Sequence, residues 1–302
     1  MSLMSNLLRK KTSIKDATAF CCFYDGIFDS QLAETGLNLI GCQNMSLSAF
    51  SDKYISKKIT IIEESDILNY DYDFILFNDI IGHEKHIAKF PKMLHLPGLV
   101  INHQDFQQTN YHLKQRLLEG NIDIIFTKEV KYGTEELAGV EKDIPILIDG
   151  SFKEQDHNLL STIKTIVPEL TIIGDNPKLK FSITPKSYEE YRRYFARCRV
   201  YINFPKNMGI SQQSLWAMSN GAAIISLKTP SLQKLITPKR GVLYDNLNYL
   251  INELKNYKQI EKRISTDKDV INEEYSMSKF VNSWRQITEK YRDRVFKYEY
   301  QS

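Results

Sequence analysis

The residues best suited to chemistry lie where a buried strand gives way to a helix. The apolar run at 200–204 predicts a strand, which the following proline ends. Gly209 then lets the backbone approach a ligand closely, and Ser211 has the side chain of a helix N-cap. The first N–H groups of a helix have no partner within it, so they bind anions readily. The spacing predicts a phosphate-binding site at Gly209, Ile210 and Ser211, with Lys206 as a nearby positive charge.

The elements around this loop must bring its backbone to the edge of a sheet. A helix after Ser211 would place Leu215 and Met218 on one face and end at Asn220 and the glycine that follows. The apolar segment 222–225 then predicts the next strand. In open α/β sheets, ligands bind beyond the carboxyl ends of the strands. This strand–helix–strand order therefore puts the loop where a ligand would bind.

The amino-terminal half alternates between strand and helix patterns. Apolar segments predict strands at 17–23, 39–40, 59–62, 74–77, 99–102 and 122–127. Segments with helical spacing, such as 111–118, separate them. Runs such as Phe-Ile-Leu-Phe have no polar alternation, which is typical of strands that are buried on both faces. This half is predicted to be a doubly wound α/β domain with a parallel sheet.

The same alternation restarts after a polar, turn-prone segment at 139–145. Strands are predicted at 146–148, 170–173 and 241–244, and Ser187 with Glu190 has the spacing of a capping box. Pro230 and Ser231 are expected to precede a further helix. The predicted domains are an amino-terminal Rossmann-like domain at 1–142, a second at 143–275, and a carboxyl-terminal helix at 276–302 that packs back on the first.

Composition and charge restrict the class of protein. The chain has 302 residues, of which 42% are hydrophobic and 25% charged, with a mean hydropathy of −0.37, as in globular proteins. No run approaches the roughly 18 apolar residues of a membrane helix, and no signal-peptide pattern begins the chain, so we expect a cytoplasmic protein with no transmembrane segment. A net charge of +3 is compatible with a polyanionic ligand. We expect reduced thiols at Cys21, Cys22, Cys42 and Cys198.

Several consecutive segments between 143 and 285 resemble the nucleotide-sugar-binding domain of GT-B glycosyltransferases, especially the large retaining family numbered four. LTIIGDNP is similar to that family's strand and Gly-Asp-Gly-Pro turn, and LWAMSNGAAIIS to its Glu-Ala-Met-Ala-x-Gly-x-Pro-Val-Val segment. SYEEYRRYFARCRVYINFP resembles its helix and strand that end in Pro-Ser. The resemblance implies two Rossmann-like domains that face a cleft, and transfer of a sugar from a nucleotide sugar with retention of configuration.

The resemblance also implies roles for residues of both domains. ILIDGSFK looks like the first donor-domain strand and its glycine turn, so Gly150 and Lys153 are expected to bind the donor. His103 follows a predicted strand and is similar to the family residue near the transferred sugar. With Asp105, it is the expected catalytic position.

On the acceptor side, the expectation comes from fold analogy. Asp25 and Gly26 lie in the first strand-to-helix loop, where such folds place acceptor or phosphate contacts.

Two positions depart from the family pattern. The family has two glutamates eight positions apart, which contact the donor sugar and the nucleotide ribose. Here Met208 and Trp216 fall at those positions. A thioether accepts hydrogen bonds weakly. Three alternatives stay open: the donor is held differently, the sugar is unusual, or activity is lost.

The acceptor and the class of function also have alternatives. A glycan or glycolipid is the default acceptor, and a modified nucleobase in DNA, as for phage glucosyltransferases of this fold, is the runner-up. A non-catalytic scaffold is a further alternative, suggested by the missing glutamates. A dinucleotide enzyme is disfavoured because no GxGxxG follows a predicted strand. We expect no cofactor besides the nucleotide-sugar donor, and no metal, although Asp79, His83 and His86 would be suitably spaced on a helix.

Overall fold

The chain forms two compact units, each built on its own parallel sheet. The first comprises Met1–Lys131 with Ser278–Ser302, and the second Tyr132–Met277. The computed structural model describes residues 18–22, 32, 36–42, 59–69, 74–77, 98–100, 133–150, 157–174, 182–204, 210–263 and 267–286.

The first unit contains a five-stranded sheet. Its strands are β1 Thr18–Cys22, β2 Asn38–Cys42, β3 Ile59–Ile62, β4 Phe74–Phe77 and β5 Gly98–Val100. They lie in the order β3-β2-β1-β4-β5, and every neighbouring pair is parallel. Because β1 has a later strand on each side, the chain winds both ways from it, as in a doubly wound sheet. These five strands confirm the sequence prediction, whereas the segments 111–118 and 122–127 lie outside the described residues.

The second unit repeats this architecture. Its strands are β6 Ile144–Asp149, β7 Leu170–Ile173, β8 Cys198–Asn203, β9 Ala223–Leu227 and β10 Gly241–Tyr244. They lie in the order β10-β9-β8-β6-β7, again with all pairs parallel. The chain leaves β6 toward β7 and returns on the other side at β8. The strand order therefore reverses between β6 and β8, which is the kind of position where open α/β sheets bind ligands.

Seven helices are described in the second unit. They are α1 His157–Ile166, α2 Tyr188–Arg197, α3 Gln212–Ser219, α4 Pro230–Leu235, α5 Leu247–Glu253, α6 Tyr257–Arg263 and α7 Lys268–Glu274. Short 3-10 helices cover Glu64–Asn69 in the first unit and Leu254–Asn256 in the second. Residues 277–286 are also helical, within the segment predicted as the carboxyl-terminal helix, and Phe280 and Trp284 are buried there.

The core of the second unit surrounds its central strands. Ile146, Leu147 and Ile148 are consecutive in β6 and none is exposed. Consecutive buried residues point to opposite faces of a strand, so β6 is covered on both faces. This explains why its sequence is continuously apolar rather than alternating.

Two helix starts differ in detail from the prediction. The Ser187 side chain accepts a hydrogen bond from the Glu190 N–H at 3.0 Å, but the Glu190 carboxylate accepts from the Lys186 N–H rather than from Ser187, so only half of the capping box forms. Pro230 and Ser231 lie inside α4 rather than before it, because Thr229 is the N-cap and proline suits the first helical position.

Three further expectations concern the whole chain. Cys42 and Cys198 are buried free cysteines, as predicted, whereas the side chains of Cys21 and Cys22 lie outside the described part of the structure. Among the described residues, no helix has the length and apolar character needed to span a membrane. Within the same residues, no group of three or more His, Cys, Asp or Glu side chains is placed to hold a metal ion, and Asp79, His83 and His86 lie outside them.

Candidate functional site

Polar residues collect at the carboxyl edge of the second sheet, around the reversal of strand order. Asp149 is the last residue of β6 and Asn203 is the last of β8. Ile148 pairs with Ile202, so Asp149 and Asn203 end neighbouring strands at the same level. Asn203 in turn pairs with Ser226 of β9. Helices α2 and α3 follow strands β7 and β8, so both helices begin at this edge.

The start of α3 is attached to the sheet through side chains. Ser211 is its N-cap, and the hydroxyl accepts from the Ser214 N–H at 3.1 Å. The same hydroxyl donates to Asn203 Oδ1 at 3.2 Å, and Asn203 Nδ2 donates to Ser226 Oγ at 3.1 Å. The N-cap at Ser211 was predicted from sequence, whereas its bond to the strand end was not. These bonds fix the first turn of α3 at the reversal of strand order.

The first turn of α3 presents backbone donors at this edge. Gln212 and Gln213 occupy its first two positions, where a backbone N–H has no partner within the helix. Ser211 caps the next N–H, that of Ser214, whereas the two preceding N–H groups have no hydrogen-bond acceptor among the described residues. Two adjacent N–H donors at a helix start suit a phosphate oxygen.

A second chain of hydrogen bonds links the end of β6 to the same turn. The Tyr191 hydroxyl of α2 donates to Asp149 Oδ2 at 2.7 Å, and Gln213 Nε2 donates to the Tyr191 hydroxyl at 3.2 Å. Tyr191 is fully buried, whereas Asp149 is half-buried. Burial, with the nearby Asp149 charge, raises the pKa of Tyr191 well above its usual value of 10.0. The phenol therefore stays protonated near neutral pH and can remain a donor to the carboxylate.

The segment 133–137 also contacts α3, at both ends of the helix. Gln212 Nε2 donates to the Gly133 carbonyl at 2.7 Å near the helix start. At the helix end, Thr134 Oγ1 donates to Ser219 Oγ at 2.9 Å, and the Leu137 N–H donates to Asn220 Oδ1 at 2.8 Å. Gln212 Oε1 is buried and has no hydrogen-bond partner among the residues described. These bonds attach both ends of α3 to the segment.

Trp216 belongs to the core between α2 and α3. It is 1% exposed, and its ring lies edge-on to Tyr188 and Tyr191, with centroids 5.7 and 6.1 Å away. The ring centroid of Phe195, which is also in α2, lies 5.7 Å from that of Trp216. At this position the chain has an aromatic packing residue instead of a ligand-binding carboxylate.

Only part of the predicted site falls on described residues. Gly150, Ile210 and Ser211 are described, and all three lie at the carboxyl edge, after β6 or before α3. The other predicted donor, catalytic and acceptor residues lie outside the described residues: Lys153, Lys206, Gly209, His103, Asp105, Asp25 and Gly26. Their roles stay predictions.

Gly150 has a packing reason to be glycine. A Cβ there would lie 2.6 Å from Ile172 Cγ2, and the Gly150 N–H donates to the Ile173 carbonyl at 2.6 Å. A close approach to β7 therefore accounts for this glycine whether or not a ligand is bound, and its donor-binding role stays a prediction.

The sequence reasoning missed Asp149, Asn203, Tyr191 and Gln213. A polar residue that ends an apolar strand, as in Ile-Leu-Ile-Asp and Tyr-Ile-Asn, would have identified the first two. No local signal identifies Tyr191, since its helical spacing indicates only a core residue.

Comparisons with known proteins identify the fold. No protein-family model matches the chain, and no curated protein matches it. The chain is similar to HepE from Anabaena, solved in complex with UDP-glucose, with 10% identity and a TM-score of 0.55 over 90% of this chain and 99% of that one. Sucrose-phosphate synthase from Thermosynechococcus elongatus has 12% identity and a TM-score of 0.55, over 93% and 100% of the two chains.

A third similar structure is AviGT4, a glycosyltransferase involved in avilamycin A biosynthesis. It has 11% identity and a TM-score of 0.51, over 92% of this chain and 97% of that one. At these identities the likenesses show the fold alone. That fold is GT-B, with two Rossmann-like α/β domains, and it confirms the predicted fold class.

Proposed function

We propose that this chain is a glycosyltransferase that takes a sugar from a nucleotide-sugar donor bound at the carboxyl edge of the second sheet. One observation carries the proposal: the first turn of α3 is fixed by the Ser211–Asn203 bond at the reversal of strand order in a GT-B fold. HepE, which has the same fold, was solved with UDP-glucose.

The arrangement suits the chemistry of glycosyl transfer. As the bond to the sugar breaks, negative charge builds on the departing nucleoside diphosphate, and fixed donors stabilise it. The N–H groups of Gln212 and Gln213 are such donors, because caps and side-chain bonds hold the helix start in place. Lys153, Lys206 and the backbone at Gly209 are proposed to add to this stabilisation.

The finer features of the reaction follow from the family resemblance and, on the acceptor side, from fold analogy. We propose retention of configuration, His103 and Asp105 near the transferred sugar, and Asp25 and Gly26 on the acceptor side. The proposed acceptor is a glycan or glycolipid, and the donor needs no separate cofactor. A nucleobase in DNA is the alternative acceptor.

A non-catalytic scaffold of the same fold is the second candidate. The observation in its favour is Trp216, which fills the core at the position where the resemblance expects a carboxylate. Nucleotide binding separates the two candidates, because a scaffold has no need of the diphosphate site.

The test is calorimetric titration of wild type, Gln212→Ala and Gln212→Pro with UDP, GDP, CDP and ADP. Both variants lose the side chain, but only proline also removes the backbone N–H. Proline is tolerated at the first helical position, and Ser211 before it is already extended, at φ −76° and ψ 144°. We expect Gln212→Pro to bind the preferred diphosphate roughly tenfold more weakly than Gln212→Ala, as for loss of one hydrogen bond to a charged group.

Equal affinities of the two variants would contradict a phosphate site at α3. If the wild type binds none of the four diphosphates, the scaffold replaces the enzyme as the better explanation. If the wild type does bind a diphosphate, nucleotide sugars are then screened for slow hydrolysis, and the one that is hydrolysed identifies the donor. Salt-dependent binding of duplex DNA would favour the nucleobase acceptor, and no duplex binding at low salt would exclude it.

A further inference from the structure

Asp149 carries a carboxylate at the reversal of strand order that neither the predicted site nor the proposed chemistry uses. It is the last residue of β6 and is half-buried. On one side of it β8 ends at Asn203, whose side chain is bonded to the cap of α3. Helix α2, which begins at the same edge, supplies Tyr191 as its hydrogen-bond donor.

The position of the Asp149 carboxylate is set relative to the first turn of α3. Tyr191 is fully buried and donates to Asp149 Oδ2 at 2.7 Å, while Gln213 donates to the Tyr191 hydroxyl at 3.2 Å. A buried phenol whose hydroxyl both donates and accepts a hydrogen bond has little rotational freedom. The carboxylate and the two N–H groups of the first turn are therefore parts of one fixed arrangement.

The chemistry of this arrangement restricts what Asp149 contacts. An ionised carboxylate only accepts hydrogen bonds, and it repels phosphate oxygens. In a site whose helix start suits a diphosphate, a ligand group that contacts this aspartate is therefore one that carries donors. A nucleotide sugar offers such donors as vicinal hydroxyls, on its ribose and on its sugar.

We propose that Asp149 binds vicinal hydroxyls of the donor, with Tyr191 and Gln213 as positioning residues. This inference depends on the proposed function, since it assigns a further contact in the same donor site. It also supplies, from β6, a carboxylate that α3 lacks because Trp216 packs in the core. Two sources of hydroxyls fit, the ribose and the transferred sugar, and the choice of ligands distinguishes them.

The test uses Asp149→Asn, which keeps the size and the acceptor oxygen for Tyr191 but removes the charge. Wild type and variant are titrated with UDP, 2′-deoxy-UDP and UDP-glucose, or with the corresponding forms of the base that the wild type prefers. If the ribose is the partner, UDP affinity falls roughly 10- to 100-fold while 2′-deoxy-UDP affinity changes little. If the sugar is the partner, only UDP-glucose affinity falls.

Asp143→Asn is the matched control, because Asp143 is an exposed aspartate just before the amino end of β6. It pairs with Arg197, far from the carboxyl edge in strand position. We expect wild-type affinities for all three ligands. Asp149→Glu is a second variant, which keeps the charge and moves the carboxylate by one methylene. It should weaken binding of the same ligand as Asp149→Asn.

The positioning role of Tyr191 has a separate readout. In the wild-type background, Tyr191→Phe should weaken binding of the same ligand. In the Asp149→Asn background it should have no further effect on affinity, because a residue that acts through another gives a non-additive double-mutant cycle. Additive losses of affinity would show that Tyr191 affects binding independently of Asp149 and would remove its positioning role.

The outcomes for Asp149 and for the proposed function are distinguishable. If both Asp149 variants bind all three ligands as the wild type does, the Asp149 inference is overturned and the donor site stands. If the wild type binds no nucleoside diphosphate at all, the proposed function and this inference fall together.

Discussion

At the residue scale, Trp216 is where the second unit departs in its packing from the family pattern that its sequence resembles. The motif around it keeps the family's Ala-Met and the later glycine, which suggests an ordinary donor helix with a substituted carboxylate. The structure shows that the change alters the packing, because the Trp216 indole fills the space between α2 and α3 against Tyr188, Tyr191 and Phe195. A carboxylate at position 216 would be surrounded by these rings.

We therefore expect Trp216→Glu to unfold the second unit rather than to restore a ligand contact. A charge buried without a partner is strongly unfavourable, so the free energy of unfolding should fall by about 3 kcal/mol or more. Trp216→Phe, which keeps an apolar ring, is the control, and its free energy of unfolding should fall by clearly less. Chemical denaturation measures both. A stable Trp216→Glu protein with increased affinity for the donor would show that the position faces the ligand.

At the element scale, glycines set how closely neighbouring strands and turns approach. Gly150 follows β6 and touches β7, where an added Cβ would lie 2.6 Å from Ile172 Cγ2. Gly241 begins β10, and an added Cβ there would overlap the Ile224 backbone carbonyl of β9. A side-chain methyl can move aside, whereas a strand backbone cannot move without loss of the sheet pairing.

This difference predicts the order of destabilisation for two alanine variants. Gly150→Ala should lower the free energy of unfolding by about 1–3 kcal/mol, as overpacking does, and Gly241→Ala should lower it further. Gly139→Ala is the control, since its Cβ would meet nothing within 4 Å and only its φ of +71° is unfavourable. That control should lose about 1 kcal/mol. The reverse order in thermal or chemical unfolding would contradict these strand contacts.

At the scale of the whole molecule, a carboxylate outside the site affects stability as a function of pH. Glu169 lies just before β7, where Lys258 Nζ approaches to 2.7 Å and the Tyr257 hydroxyl donates at 2.8 Å. These bonds, that of Lys258 first, lower the pKa of Glu169 from 4.5 to about 2. A carboxyl group whose pKa is lowered by folding stabilises the folded state above its unfolded pKa, and this contribution is lost as the pH falls through the folded value.

We therefore expect Glu169→Gln to reduce the acid sensitivity of the protein. Between about pH 4.5 and pH 2, the wild type should lose free energy of unfolding more steeply than the variant, and the two curves should differ most above this range. Glu141→Gln, at an exposed glutamate with no ion pair to a described residue, is the control and should follow the wild type. If the free energy of unfolding depends on pH in the same way in all three proteins, the Glu169 bonds do not contribute to global stability.

Much of the fold follows from local patterns in the sequence. The apolar segments at 59–62, 74–77, 170–173 and 241–244 predict strands with the bounds that the structure has. Ser211 was predicted to cap α3 and Asn220 to end it, and both do so. These features are predictable because burial periodicity, capping and helix termination depend on residues only a few positions apart.

The site depends on the tertiary structure, because its bonds join residues that are distant in the chain. Tyr191 is 42 positions from Asp149 and 22 from Gln213. Periodicity assigns Tyr191 to the core but does not say which polar atom its hydroxyl meets, since that depends on how α2 and α3 pack over the sheet. Likewise, the sequence alone determined that a capped helix follows an apolar strand. Only the strand order placed that helix near the end of β6, where two chain segments wind apart, which is the kind of edge at which open α/β sheets bind ligands.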